Sequence, residues 1–379
     1  MSSYIFATEL FDGSGAAPKL NQLIEIDRGL ICSCAPATKE EAERQGAVCA
    51  PVVAPGFIDL QINGANDTLF NDDPSVQSIS RIGEGARRGG TAHFLPTFIT
   101  APDKAYPQAI EAAEQALEQG VTGVLGIHLE GPFLSPDRAG IHPKSAICPL
   151  NEEDLENLTA PFAGCMLLTL APEQHEPHQL EALVEAGLVV FAGHSEAGAE
   201  AMNTALAAGL SGVTHLYNAM SQMSGREPGV VGSALSSTAL YAGIIADGIH
   251  VHPANVALAA RLKPDHLCLV SDAMPTLAGT CKQFNLYGTK IYLKGNKLSN
   301  GEGVLAGAHL AMDQALRNML AFSNCTPAQA LKMASTNPAH ALGLEEELGY
   351  IKKGYRASMT LLDEDMQVRG VMVDGTFYE

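Results

Sequence analysis

Leu125-Gly126-Ile127-His128-Leu129-Glu130-Gly131 is a short apolar run that ends on metal-binding or acid–base residues. Two further segments follow the same pattern, Val189-Val190-Phe191-Ala192-Gly193-His194 and Gly212-Val213-Thr214-His215. A fourth, Leu267-Cys268-Leu269-Val270-Ser271-Asp272, closes on a lone carboxylate. Runs of this kind are what parallel barrel strands look like when each delivers one side chain to a shared mouth, because catalytic groups of such barrels sit at the strands' C-terminal ends.

Outward from these segments, apolar strands alternate with alanine-rich helices. The strand candidates are Gly56–Ile62, Thr91–Phe98, Val124–Glu130, Met166–Ala171, Val189–His194, Gly212–Leu216, Ala242–Asp247 and Leu267–Asp272. Helical stretches fill the gaps, among them Gln108–Glu118, Gln179–Ala186, Ala199–Ala208 and Asn255–Arg261. Eight β–α units in about 290 residues have the size and period of a (β/α)₈ barrel. A doubly wound sheet competes with this reading, but it would carry a glycine-rich phosphate turn after its first strand. Asn63-Gly64-Ala65-Asn66 is not that turn. Both ends of the chain are β-like, Tyr4 to Phe11 and Gln22 to Ile26 at one end, Met359 to Leu362 and Val368 to Val373 at the other. Neither end has enough strands to be stable alone, so they are expected to pair. The fold class predicted is therefore α/β: a TIM-like barrel over residues 54–344 with a small β-sandwich domain built from 1–53 and 345–379.

At 379 residues and 46% hydrophobic, the chain can bury a large core, and its formal charge of −19 disfavours nucleic acid or an anionic membrane as partner. A small anionic substrate stays compatible with that charge if a local Arg/His pocket opposes the global field. The eight cysteines are scattered, with no Cys-x-x-Cys pair, and read as reduced thiols of a cytoplasmic protein. No basic–apolar leader opens the sequence and no run reaches the roughly 18 apolar residues of a membrane span.

Among the strand ends, Glu130, His194 and His215 offer one carboxylate and two imidazoles, a ligand set suited to zinc or ferrous iron with a position left for water. Asp272, on the last strand, is then placed to take a proton from that water and return it to a leaving group. Glu173 and His175 are a further pair of metal-ligating type without an assigned role. Gly301-Glu302-Gly303-Val304-Leu305-Ala306-Gly307 has the wrong glycine spacing for a dinucleotide fingerprint and reads as a loop opening a helix over Ala308–Phe322.

The motifs also carry a family resemblance. Pro55-Gly56-Phe57-Ile58-Asp59-Leu60-Gln61-Ile62-Asn63-Gly64 resembles the opening strand of the amidohydrolase superfamily. His128-Leu129-Glu130-Gly131-Pro132-Phe133, Gly193-His194-Ser195 and Thr214-His215-Leu216-Tyr217-Asn218-Ala219-Met220 are similar to the N-acetylglucosamine-6-phosphate deacetylases. So are Asp247-Gly248-Ile249-His250, Val270-Ser271-Asp272-Ala273 and Asn337-Pro338-Ala339, which extends the resemblance from about residue 50 to the C-terminus.

The resemblance implies hydrolysis of an acetamide on a phosphorylated amino sugar, with Glu130, His194 and His215 holding the metal and Asp272 as catalytic acid–base. It implies substrate contacts from Ile141, His142, Asn218, Ala219 and His250, and from Leu305, Ala306 and Gly307 closing over the sugar. Arg226, in the loop Ser224-Gly225-Arg226-Glu227-Pro228-Gly229, resembles the cation that holds the phosphate, and in relatives this loop reaches a neighbouring subunit. That implies a homodimer or dimer of dimers with Arg226 acting across the interface.

Two departures from the wider pattern stand out. Many superfamily members carry His-x-His on the first strand for a second metal, where this chain has Asp59-Leu60-Gln61. Gln61 is a poor ligand, so the second-metal position is expected to be vacant. One divalent ion per subunit follows, zinc first, with iron, manganese or cobalt compatible. Ala357-Ser358 stands where relatives have an Asp before the final strands, and Ser358 is expected to make a local backbone hydrogen bond. The galactosamine epimer of the substrate, or a cyclic amide as in dihydroorotases, are the alternatives. No residue distinguishes the two sugars, and the first-strand histidines that cyclic-amide hydrolases want are missing.

Overall fold

The computed structural model describes residues 3–379. An eight-stranded sheet runs in sequence order through Phe57–Ile62, Thr91–Ile99, Gly126–Glu130, Cys165–Leu170, Val189–Ala192, Gly212–Val213, Tyr241–Ile244 and Leu267–Leu269. Every neighbouring pair is parallel. The two outer strands meet at a parallel bridge between Ile62 and Ala273, and the Asp272 N–H donates to the Gln61 carbonyl at 2.9 Å. The sheet thus closes as the α/β barrel that the sequence predicts.

Helices cover the outside. The four expected appear as Tyr106–Glu118, Pro177–Glu185, Ala199–Ala207 and Pro253–Leu262. One that was not singled out, Val76–Arg87, starts at Ser75, whose hydroxyl accepts the N–H of Ser78 and satisfies an orphan donor of the first turn. Its Ile79, Ile82 and Ala86 recur at helical spacing and are fully or almost fully buried against the barrel. The helix expected to open at Ala308 begins at Met312.

Three barrel strands are shorter than their apolar runs. The ladders stop at Ala192, Val213 and Leu269, before His194, His215 and Asp272. Those three residues have φ of 48°, 30° and 45°, in the left-handed region where a strand cannot continue. For residues with a Cβ this conformation costs of order 1–3 kcal/mol and persists only where the surroundings enforce it.

The chain ends combine as expected into a seven-stranded sheet. Thr376–Tyr378, Val368–Val373 and Met359–Leu362 add to Val48–Pro55, which pairs in parallel with Ser3–Leu10, followed by Lys19–Asp27 and Leu30–Pro36. Ile24 and Ile31 from one side of the sheet share a core with Met359, Leu361 and Met372 from the other, so the sheet curls over its own apolar face. A three-stranded antiparallel sheet, Gln283–Leu286, Thr289–Lys294 and Lys297–Ser299, was not anticipated. Its Leu286, Ile291 and Leu298 pack on Ile99, Met274 and Ala306 beside the barrel mouth.

Ser358 departs from its expected local role. Its hydroxyl lies 2.8 Å from Nε2 of His93 on the second barrel strand, and it accepts the Asp374 N–H at 3.1 Å. Asp374 in turn takes a bidentate hydrogen bond from Arg356, 2.8 Å to each oxygen. Because both His93 and Ser358 are buried, their polar atoms seek each other rather than the nearest turn. The result fastens the terminal sheet to the barrel. Among the described residues, no helix is long and apolar enough to cross a membrane.

Candidate active site

Glu130 ends the third barrel strand, and its carboxylate meets the two imidazoles in the barrel mouth. Oε1 of Glu130 lies 2.9 Å from Nε2 of His215 and 3.1 Å from Nε2 of His194, and the two Nε2 atoms are 3.1 Å apart. Among the described residues, this is the one group of three or more His, Cys, Asp or Glu side chains whose ligand atoms converge as a metal requires. The tautomer of His194 makes the case chemically. The Nδ1–H of His194 donates to the Arg138 carbonyl at 2.8 Å, which leaves a bare Nε2 lone pair aimed at a carboxylate. Acceptors facing acceptors at this range are resolved by a cation between them, so the residues fit a divalent ion.

Burial would raise the Glu130 carboxyl, but the two imidazoles beside it, His194 and His215, outweigh that and hold the group well below the usual carboxylate range, the direction a cation among them would also impose. Burial would lower His215, and the Glu130 carboxylate reverses that and raises it. Asp272 behaves oppositely: burial, then the nearby Glu130 charge, pushes its carboxyl up to about 7. A group titrating there can both take and return a proton near neutrality.

One layer deeper, alternation along the strands turns His128 and Asp59 into the barrel interior. His128 lies 3.1 Å from Thr97 Oγ1 and 2.8 Å from Thr169 Oγ1, and Thr169 lies 2.6 Å from Thr214. Burial lowers the His128 imidazole to about 4, so it is a neutral strut beneath the ligands. Gln61 on the first strand turns toward the acid: its Nε2 donates to Asp272 Oδ1 at 3.1 Å.

These groups open into a cavity of about 390 Å³. Ile141, His142, Asn218, Ala219 and His250 line it, as do Leu305 and Gly307. Ala306 is fully buried between those two neighbours and packs into the apolar cluster below. Arg226 is exposed and outside this lining, so within one chain it is not brought to the cavity. Larger clefts of about 510 and 620 Å³ contain none of the converging ligands.

Two histidines face the cavity with fixed rings. Thr100 Oγ1 donates to the Glu130 carbonyl at 3.2 Å, which leaves its lone pairs for the Nδ1–H of His142 at 2.9 Å. His142 thus shows a bare Nε2 to the cavity, and burial, reinforced by His194, lowers it to about 3 and keeps it neutral. His250 Nδ1 sits 2.6 Å from Asp247 Oδ2, while Asp247 Oδ1 accepts the N–H groups of Ile249 and His250.

Sequence reasoning missed Asn63, Asp137 and Arg138, all of which line the cavity. Asn63 was legible in part, because it directly follows the first strand. The carbonyl of Arg138 acts through the backbone, which no side-chain pattern reveals. Glu173 is not a ligand: it accepts from Ser195 Oγ and the Glu196 N–H, both at 2.6 Å, and so braces the turn after His194.

Residues 52–377 match the amidohydrolase family. An N-acetylgalactosamine-6-phosphate deacetylase of Shewanella sp. (strain ANA-3) is 36% identical over 356 residues, covering 93% of this chain and 90% of the relative. The N-acetylglucosamine-6-phosphate deacetylase of Haemophilus influenzae is 35% identical over 327 residues, 86% of either chain. The crystal structure of N-acetylglucosamine-6-phosphate deacetylase from Pasteurella multocida superposes with a TM-score of 0.93 at 31% identity, covering 99% of both chains. The opening strand, the converging ligands and the sequence similarity lead to one conclusion: this chain belongs to the amidohydrolase family.

Proposed function

We propose that this protein is a metal-dependent deacetylase that hydrolyses the acetamide of N-acetyl-D-glucosamine 6-phosphate to D-glucosamine 6-phosphate and acetate. The observation that carries the reading is the meeting of Glu130, His194 and His215 with Asp272 in one cavity. Glu130, His194 and His215 would hold one divalent ion, zinc first among the candidates, which supplies Lewis-acid activation of water and of the acetyl carbonyl.

Asp272 takes the proton of the attacking water and delivers it to the nitrogen as the C–N bond breaks, so the amine departs neutral. The bare Nε2 of His142 accepts a sugar hydroxyl, and His250, held by Asp247, contacts the sugar phosphate. Asn218, Ala219, Ile141 and the Leu305–Gly307 segment enclose the ring. A dianionic phosphate calls for a permanent cation, and the guanidinium of Arg226 suits it. Because Arg226 is exposed on its own chain, we assign it to the cavity of a neighbouring subunit in a homodimer or dimer of dimers. The barrel then comprises residues 54–344 and the terminal sheet domain 1–53 with 345–379. Free thiols at all eight cysteines agree with a reducing, cytoplasmic setting.

The galactosamine epimer is the second reading, favoured by the relative from Shewanella. Acetate release from each sugar phosphate, measured with metal and after chelation, tests both. Metal-dependent release from the glucosamine epimer with the higher kcat/KM supports the first reading. A higher value for the other epimer selects the second, and no release from either removes both.

A further inference from the structure

Asp272 is held through one of its two oxygens. Oδ1 accepts from Asn63 Nδ2 at 2.6 Å and from Gln61 Nε2 at 3.1 Å. A carboxylate offers only acceptors, so these contacts fix which end of each amide is the nitrogen. Asn63 lines the cavity but is only 1% exposed, and its own Oδ1 is buried without a hydrogen-bond partner. Burying an amide oxygen unpaired is costly, which a side chain serving only to brace a strand has no reason to bear.

The backbone around Asn63 is fixed on both sides. Its N–H and that of Gly64 donate to the Ala273 carbonyl at 2.9 Å, and its carbonyl accepts from Phe70 at 2.9 Å. Residue 63 is thereby tied to the residue that follows Asp272, so the carboxamide and the carboxyl move as one body. This is how a rigid scaffold holds a reacting group in its productive geometry.

We propose that Asn63 is a positioning residue for proton transfer: together with Gln61 it occupies Oδ1 of Asp272, leaving Oδ2 as the oxygen that exchanges the proton. The inference rests on the assignment of Asp272 as acid–base group. No proton moves through Asn63 itself. It sets the rotation of the carboxyl, so that the lone pair of Oδ2 rather than that of Oδ1 is turned to the water and then to the leaving nitrogen.

The test is a double-mutant cycle on the metal-loaded enzyme, with kcat, KM and bound metal measured for each variant. Asn63→Ala lowers kcat about 10- to 100-fold, leaves KM within about threefold and retains the parental metal content. In the Asp272→Asn background the same change costs less than about twofold, because the group it positions is gone. Asn63→Ser, too short to reach Oδ1, serves the same purpose should the alanine variant fail to fold. An unchanged kcat in the soluble variant overturns the proposal, as does an equal loss in both backgrounds. If Asp272→Asn itself keeps the parental kcat, the acid–base assignment falls; if it loses activity while Asn63→Ala does not, only the positioning role falls.

Discussion

Nδ1 of His194 lies 2.8 Å from the carbonyl oxygen of Arg138, so a ligand-type imidazole is oriented by the backbone of the loop that also carries Ile141 and His142. The cavity wall and the cluster of Glu130, His194 and His215 are therefore mechanically joined: a shift of that loop rotates the imidazole. The carbonyl fixes which nitrogen is protonated, and with it the lone pair presented to Glu130.

Replacing His194 by Ala removes one of three converging donors. Bound metal should fall from one ion per chain to a small fraction of that, and kcat by at least ~10²-fold. Elemental analysis alongside acetate release checks both. Full metal occupancy in the variant would contradict the ligand assignment.

Asp272→Asn keeps the shape of the acid but cannot take the proton. A loss in kcat of about 10²- to 10⁴-fold is expected, with metal content unchanged. The separation matters, since a drop in both quantities would make Asp272 a ligand instead.

Arg226→Ala should raise KM about tenfold or more for the phosphorylated sugar and leave the unphosphorylated one almost unaffected. If the residue acts across an interface, mixing Arg226→Ala chains with Asp272→Asn chains restores activity. Each mixed dimer then has one site with an intact acid and an intact arginine. Failure of the mixture to exceed the sum of its parts would return Arg226 to its own chain.

His93 makes stability sensitive to acid. Burial, then the Arg356 charge, lowers its folded value from 6.5 to about 4, so between those limits the unfolded chain binds more protons. Its stabilising contribution is complete above pH 6.5 and is lost progressively as pH falls toward 4. The slope is up to ~1.4 kcal/mol per pH unit. His93→Gln, which can still reach Ser358, should flatten that part of the profile in denaturant titrations. An identical acid slope in the variant would remove His93 as its source.

Much of the site was legible because Glu130, His194, His215 and Asp272 each close an apolar run, and a parallel barrel brings its run ends to one mouth. The same logic overstated three strands, since the residues at the mouth leave the extended conformation. The terminal sheet was harder to read. Leu30–Pro36 and Val48–Pro55 draw their pairing from partners far along the chain rather than from a local pattern. The sheet over residues 283–299 hid behind Lys290, Lys294 and Lys297, which interrupt its apolar positions. The clasp of Asn63 and Gln61 on Asp272 joins residues more than 200 positions apart, so no local pattern reveals it.

Closure of the barrel between Ile62 and Ala273 has a consequence for a chain made from one end to the other. A ribosome that has released the first 250 residues has already exposed Glu130, His194 and His215. The acid and its amide clasp are still incomplete at that stage. The ligand-type residues are thus made well before the acid that completes the site, and the strand at Val48–Pro55 waits longer still for Met359–Leu362.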